Sequence, residues 1–435
     1  MKLTCLLGSG VSIPAGIPTV GDITNAVLSG DGIIDRTDGV SDEKQEDGRK
    51  RLILLAWLKA QAASRYSEIP ERSVNYEDLA HLADQIADDI GYDYENPAVH
   101  TFVCKALTEL EGLFRNRTAD DSREMLRKLA ETTVDYIRWI VIGMLAPKPA
   151  ESDTHYLQFF SDACNEDGVV QIDLFSLNHD TLVERFLVEH LDHKKFSVAN
   201  GFCEASSGDG SSRWDPSVYD AQKRDGIRVN VFKLHGTIDW ITWEPIGGTQ
   251  QEKFENRFIG TYEHGTSKAP KFRKTGTPLI LVGTFNKILR YNSQPFLELH
   301  YRFMRALEEK DRTTLIVCGY GFGDKGVNTR IVEWLRRSPS NRLLIIDPEQ
   351  SEILHNKARG GIQQVTNLIL NAKEPAKNPT PLEAYAHEKW LGSFLTKHLQ
   401  RTFGKCPEGN IREVAWDEVR RRIIGSDAEF LSAGD

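Results

Sequence analysis

The sequence predicts an α/β fold: a Rossmann-like, doubly wound parallel sheet with a large helical insertion and a short C-terminal helical appendage. Three observations predict it. Short apolar runs recur at residues 3–7, 169–176, 229–234, 279–282, 314–318 and 343–346, most of them followed by helical patterns; near-continuous apolar strands of this kind belong to sheets covered on both faces. Several runs end in glycine, asparagine, histidine or aspartate, the residue types expected where parallel strands deliver ligand-facing loops. Between the first and second runs, residues 51–161 keep a helical period throughout. The domain reading is therefore a core from 1–40 and 165–350, a helical insertion at 41–164, and the last strand region with the helical appendage at 351–435.

Residues 1–28 read as strand, glycine loop and helix, with Ile23, Val27 and Leu28 on the buried side. The stretch 29–50 is rich in Asp, Glu and Gly and reads as a surface loop. Asn75 suits a helix N-cap, Leu79, Leu82, Ile86 and Ile90 form one stripe, and Gly91 is a stop signal. A second long helix is expected over 122–145, with Leu126, Leu129, Val134, Ile137 and Val141 near one face. Residues 203–228 and 247–277, polar and rich in Gly, Ser and Lys, read as long loops over the sheet. After several prolines from residue 375 onward, two helical patterns at 382–399 and 411–424 make up the appendage.

The chain has 435 residues, enough for two or three domains, and 27% charged residues, which fits an ordinary water-exposed surface. A net charge of -9 argues against a surface built to hold nucleic acid, so no direct sequence-specific nucleic-acid binding is expected. The six cysteines are scattered, with no pair at the spacing of zinc ligands; the expectation is reduced thiols and no zinc. Residues 3–7 are too short a run for a secretory signal, and residues 139–147 reach only half a membrane span. The expected location is cytoplasmic, without a membrane partner.

Four sets of residues at strand ends carry the chemical signal. The first is Gly8-Ser9-Gly10-Val11-Ser12, continuing to Gly16-Ile17-Pro18. Glycines after a strand let backbone N–H groups approach a diphosphate, with the next helix pointing its positive end at the anion; a plain glycine turn is the alternative. The second is Asn178 with Asp180, where Asp180 also suits a helix cap. The third is Lys233-Leu234-His235-Gly236: a strand-end histidine titrates near neutral pH and can reach a ligand, or is a core histidine satisfied by backbone. The fourth is Gly319-Tyr320-Gly321-Phe322-Gly323-Asp324. A weaker mark is Asp347, suited either to the two hydroxyls of a ribose or to a surface turn.

In this order and context, Gly8-Ser9-Gly10-Val11-Ser12 with Gly16-Ile17-Pro18, then Asn178 and Asp180, then Lys233-Leu234-His235-Gly236, the chain resembles the sirtuin-like fold. The resemblance implies that Gly8, Ser9, Gly10 and Ser12, with Gly16, Ile17 and Pro18, hold NAD+; that Asn178 and Asp180 sit around the nicotinamide ribose; and that His235 is the catalytic base. It also implies that Gly319, Tyr320, Gly321, Asp324 and Asp347 line the adenosine side. Protein-deacylating sirtuins carry an acidic-aromatic-arginine run after Gly-Ile-Pro, where this chain has Thr19-Val20-Gly21-Asp22, and a four-cysteine zinc module that this chain lacks.

The zinc-free pattern with a large helical insert is similar to the sirtuin-like effectors of bacterial antiphage defence. That likeness implies hydrolysis of NAD+, here a substrate, to nicotinamide and ADP-ribose. It also implies a homo-oligomer and a separate sensor such as a HerA-type ring ATPase or a short Argonaute. Two other readings stay open: an NAD-dependent protein deacylase or ADP-ribosyltransferase, and a non-catalytic nucleotide-binding interaction module.

Overall fold

Alternating apolar strands and amphipathic helices build most of the chain. The computed structural model describes residues 2–30, 46–67, 73–93, 96–114, 117–146, 157, 169–192, 195–204, 212–221, 226–261, 272–283, 291–309, 314–337 and 341–346. In chain order the elements are β1 (Lys2–Leu7), α1 (Val20–Ser29), α2 (Glu46–Tyr66), α3 (Tyr76–Gly91), α4 (Pro97–Glu109), α5 (Ala119–Leu145), β2 (Gln171–Ser176), α6 (Leu182–His190), β3 (Phe196–Ala199), β4 (Phe202–Glu204), β5 (Ser212–Trp214), β6 (Ile227–Lys233), β7 (Trp240–Pro245), α7 (Gln250–Glu255), β8 (Phe258–Thr261), β9 (Phe272–Thr275), α8 (Phe296–Glu308), β10 (Thr314–Cys318), α9 (Lys325–Arg337) and β11 (Arg342–Ile346). They fall into two compact units, one of Met1–Gly16, Lys148–Arg273 and Gln294–Asp435, the other of Ile17–Pro147 and Lys274–Ser293.

The first unit is built on a six-stranded sheet in the order β11-β10-β1-β2-β6-β3, with every described pair parallel. This is the Rossmann-like α/β architecture that the apolar runs predict. Its central strands are buried on both faces, with Leu6, Leu7, Leu174, Phe175, Val231, Leu315 and Val317 apolar and the buried Asn230 donating from Nδ2 to Asp173 Oδ1, the burial that a sheet without a solvent face requires. Phe175 stacks on Phe232 at 4.5 Å and meets Phe303 of α8 edge-on at 5.0 Å. A second, five-stranded sheet, β4-β5-β8-β7-β9, is antiparallel where its pairing is described. An aromatic cluster of Phe202, Trp214 and Trp240 supports it, with ring centroids 5.2–5.6 Å apart.

The second unit contains α1 to α5. The starts of α1, α3, α4 and α5 are written in the sequence: Thr19 and Asn75 form capping boxes with Asp22 and Asp78, Asn96 caps a helix whose first residue is Pro97, and Thr118 accepts from the Asp121 N–H. Such caps satisfy backbone donors that the first turn leaves open. Leu79, Ile86 and Ile90 of α3 are buried, as are Leu126, Leu129, Val134, Ile137 and Val141 of α5. Helix α5 starts at Ala119, three residues before the predicted 122, because Thr118 rather than Ser122 is the cap.

Three expectations need correction. Residues 203–228 and 247–277 are not loops throughout, since β4, β5, α7, β8 and β9 lie wholly or partly in them. Most of these strands have only three or four residues, too short for a local pattern to emerge, and they are stabilised by cross-strand partners rather than their own propensity. Residues 279–282 do not join the parallel sheet; they belong to the second unit, with an isolated bridge at Ile280. Residues 29–50 are not one loop, because α2 begins at Glu46. Asp347 and residues 351–435 lie outside the described residues.

Candidate functional site

The strand registers bring the predicted motifs to one edge. Leu7 lies opposite Ser176 on one side and Cys318 on the other, and Ser176 lies opposite Lys233. Four strands therefore end at one level, and the loops beginning at Gly8, Leu177, Leu234 and Gly319 emerge together. The ladder continues beyond the strands: Gly8 N–H donates to Cys318 O at 2.9 Å, Leu177 N–H to Leu7 O at 2.9 Å, and Leu234 N–H to Ser176 O at 2.8 Å. The chain runs outward from β1 through β2 to the edge strand β3, comes back one place with β6, and then crosses to the far side of β1 with β10. The β1/β10 boundary is thus the topological switch point, where open α/β sheets bind ligands beyond the carboxyl ends of their strands.

At that boundary the two glycine loops lie backbone on backbone. A Cβ on Gly8 would sit 2.5 Å from Gly319 O, and one on Gly10 2.7 Å from Gly319 Cα. Gly319 has φ +61° and abuts Val11 N. Gly10 N–H donates to Gly319 O at 2.8 Å. Loop packing alone therefore accounts for the glycines at 8, 10 and 319, and the Gly8 and Gly10 N–H groups are engaged in it. Ser9 is the exposed tip, Gly16 closes the following turn with φ +79°, and Ile17 and Pro18 are counted with the second unit. Across the edge, Gly321 and Gly323 are exposed and Tyr320 is buried. The Tyr320 hydroxyl accepts from Asp324 N–H at 3.1 Å and donates to Asn328 Oδ1 at 2.9 Å, holding that loop closed.

Asn178 is fixed between the two sides. Its Nδ2 donates to Gly8 O at 2.9 Å and to Ser12 Oγ at 3.0 Å, while Ser12 Oγ donates to Asp180 Oδ2 at 2.8 Å. A carbonyl oxygen can only accept, so the amide orientation is settled by the Gly8 contact. Among the described residues, the amide oxygen Oδ1 is buried without a hydrogen-bond partner. Asp180 is not the N-cap of α6, a position that Thr181 holds without a side-chain cap bond; it stands one residue earlier, where Oδ1 accepts from Leu182 N–H at 3.0 Å and Oδ2 holds Ser12. Beneath it, buried Lys233 donates to Asp180 O and pairs with Glu184 Oε1 at 3.1 Å. Burial pushes the Glu184 and Asp239 carboxyls up, opposed in both by the nearby Lys233 charge.

His235, with 4% of its surface exposed, lies at the end of β6. Its Nε2 is 3.1 Å from Asp324 Oδ2. The other carboxylate oxygen of Asp324 accepts from Gly326 N–H at 2.8 Å and Val327 N–H at 3.1 Å, capping α9. Asp324, expected on the adenosine side, is therefore engaged with the histidine. His179 lies 6.2 Å from His235 between ring centroids. His300, on α8, has Nε2 3.2 Å from Leu234 O; burial, and secondarily the His235 charge, pushes its pKa down to about 3.

Sequence reasoning missed the Asp324–His235 pair, His300, and the Lys233–Glu184–Asp239 group. Two signals were available: Asp324 directly precedes a helix, and Glu184 interrupts the apolar pattern Leu182-Val183-Glu184-Arg185-Phe186-Leu187. Nothing local marks His300, which reaches the site only through the packing of α8. Asp347 lies outside the described residues.

No known family profile matches the chain, and no curated protein sequence matches it. Among solved structures, a Sir2 homologue in complex with NAD aligns at 14% identity over 92% of this chain and 90% of that chain, with a TM-score of 0.30. Among the described residues, no helix is long and apolar enough to cross a membrane.

Proposed function

We propose that the chain is an NAD+ glycohydrolase: water replaces nicotinamide at the anomeric carbon of the ribose, and nicotinamide, ADP-ribose and a proton leave. The observation that carries this reading is the Asn178 amide oxygen, buried and without a partner among the described residues, at the strand-end edge that also bears His235. A buried acceptor with no donor calls for an explanation, and a ribose hydroxyl or the attacking water supplies one. Cleavage of the glycosidic bond develops positive charge on the ribose. Asn178 Oδ1 then orients the hydroxyl or water by accepting its hydrogen, and His235 takes the proton released as the new C–O bond forms. The Ser12–Asp180 pair holds the Asn178 amide, so the oxygen is preset before substrate arrives.

The motif resemblance extends the reading to a physiological role: an effector that depletes NAD+ in antiphage defence, a form of abortive infection. In that role it works as a homo-oligomer under a separate sensor of the HerA-type ATPase or short Argonaute kind. The test is to incubate the purified chain with NAD+, with and without an acylated peptide, and resolve the products beside His235→Ala. ADP-ribose and nicotinamide formed without peptide, and lost in the variant, support hydrolysis. Cleavage only with peptide, giving O-acyl-ADP-ribose, overturns it in favour of deacylation. Label carried from NAD+ onto protein overturns it in favour of transfer. NAD+ binding without cleavage, also in the presence of the sensor, leaves a binding module.

A further inference from the structure

The two oxygens of Asp324 do different work. Oδ1 is held by two backbone N–H groups at the start of α9, and Oδ2 faces His235 Nε2 at 3.1 Å. Its backbone is pinned as well, with its N–H on the Tyr320 hydroxyl. A carboxylate oxygen so fixed can only accept, so the ring nitrogen facing it must donate. We propose that Asp324 is the positioning residue for His235, holding the proton on Nε2 and thereby making Nδ1 the ring nitrogen that accepts a proton in the reaction. This deepens the glycohydrolase reading and rests on it for the identity of the base.

The other groups around the ring fit this assignment. His300 Nε2 faces Leu234 O, which only accepts, so that nitrogen is a donor. With a pKa near 3 it is neutral at working pH and does not compete for the Asp324 charge. His179 is 6.2 Å away between ring centroids, too far to replace a direct hydrogen bond.

Asp324→Asn separates positioning from structure. An asparagine keeps an oxygen for the Gly326 and Val327 N–H groups, so the cap survives, but it presents an N–H₂ group to His235 and forces Nε2 to become the acceptor. The experiment is long-range ¹H–¹⁵N correlation on the full chain labelled at histidine, at a pH where the ring is neutral, with the His235 signal assigned by its loss in His235→Gln. The wild type should show His235 protonated on Nε2, and Asp324→Asn should show it protonated on Nδ1 with an unchanged melting temperature. In the NAD+ assay, kcat should fall while KM holds; the same exchange in a comparable Asp–His pair costs about 10⁴-fold. The same tautomer in both proteins, or turnover in Asp324→Asn equal to or above wild type, would overturn the proposal. The tautomer is read without substrate, so a wild-type chain that shows the Nε2 proton but cleaves no NAD+, alone or with its sensor, refutes the hydrolase reading and leaves the Asp324 assignment standing.

Discussion

On the proposed function, replacing Asn178 by alanine should cost NAD+ turnover far more than it costs the fold. The side chain contributes two hydrogen bonds through Nδ2, to Gly8 O and Ser12 Oγ, together worth about 2 kcal/mol of stability at roughly 1 kcal/mol each. The same side chain buries Oδ1 without a partner, and a buried unsatisfied polar atom costs about 1–3 kcal/mol. Alanine loses the bonds and removes the orphan, so the two effects nearly cancel. Ser12 keeps its bond to Asp180. The net change expected is about 1 kcal/mol or less in either direction, measured as a shift in urea midpoint at constant slope. Turnover should fall by about 10²- to 10³-fold, as when one preorganised hydrogen-bonding group is removed from an active site. The assay pair is urea denaturation followed by fluorescence and NAD+ consumption followed by chromatography. Destabilisation beyond about 3 kcal/mol would mean that Oδ1 is satisfied in the folded protein, and wild-type turnover would remove Asn178 from the mechanism.

Two more tests address the loops and the histidines. Gly8→Ala places a methyl 2.5 Å from Gly319 O and 2.6 Å from Tyr320 Cα, both backbone atoms; overpacking that forces backbone to move costs about 1–3 kcal/mol, so the melting temperature should fall even in the absence of any ligand. An unchanged melting temperature would show that the glycine answers to ligand approach alone. His300, with its folded pKa depressed to about 3, stays neutral while the unfolded chain takes up a proton near pH 6.5. Its contribution is therefore intact above pH 6.5 and is lost as pH falls from there towards 3, with a slope of at most about 1.4 kcal/mol per pH unit, reduced because the ring is only partly buried. In His300→Asn that part of the acid-side slope should vanish in urea titrations at pH 7.5 and 5; an identical slope in both proteins would refute the assignment.

The sequence makes the parallel sheet legible because its longer strands are mostly apolar, broken only by single polar residues such as Thr4, Asp173 and Asn230, and the motif loops stand where those runs stop. The small antiparallel sheet is not legible in the same way. Ser212–Trp214 and Phe258–Thr261 hold their conformation through partners distant in the chain, and Gly260 pairs with Arg213 across 47 residues. At the site, Asn178, Asp180 and His235 can be picked out because strand-end polar residues are few. What they touch cannot be. The glycines at 8, 10 and 319 read as room for a ligand, yet their tightest neighbours are each other's backbones, a relation that depends on β1 and β10 being adjacent although more than 300 residues apart. His300 is invisible for the same reason.

The two acidic residues show most plainly why one-residue readings fall short. Asp180 and Asp324 each precede a helix, and either would be dismissed as a cap; in both, one oxygen accepts from backbone N–H groups at a helix start, Leu182 N–H for Asp180 and Gly326 and Val327 N–H for Asp324. The second oxygen of each reaches the functional edge, Asp180 through Ser12 to Asn178 and Asp324 directly to His235. The helix start fixes the carboxylate, and the carboxylate fixes the side chain that the proposed reaction assigns to substrate. His235 is thereby tied to a helix start through two contacts in series and Asn178 through three, short linkages of the kind that preorganisation requires. A shift of the first turn of α9 would move the Asp324 carboxylate and with it the hydrogen bond to His235 Nε2, while a shift of α6 would act on the Asn178 amide through Ser12.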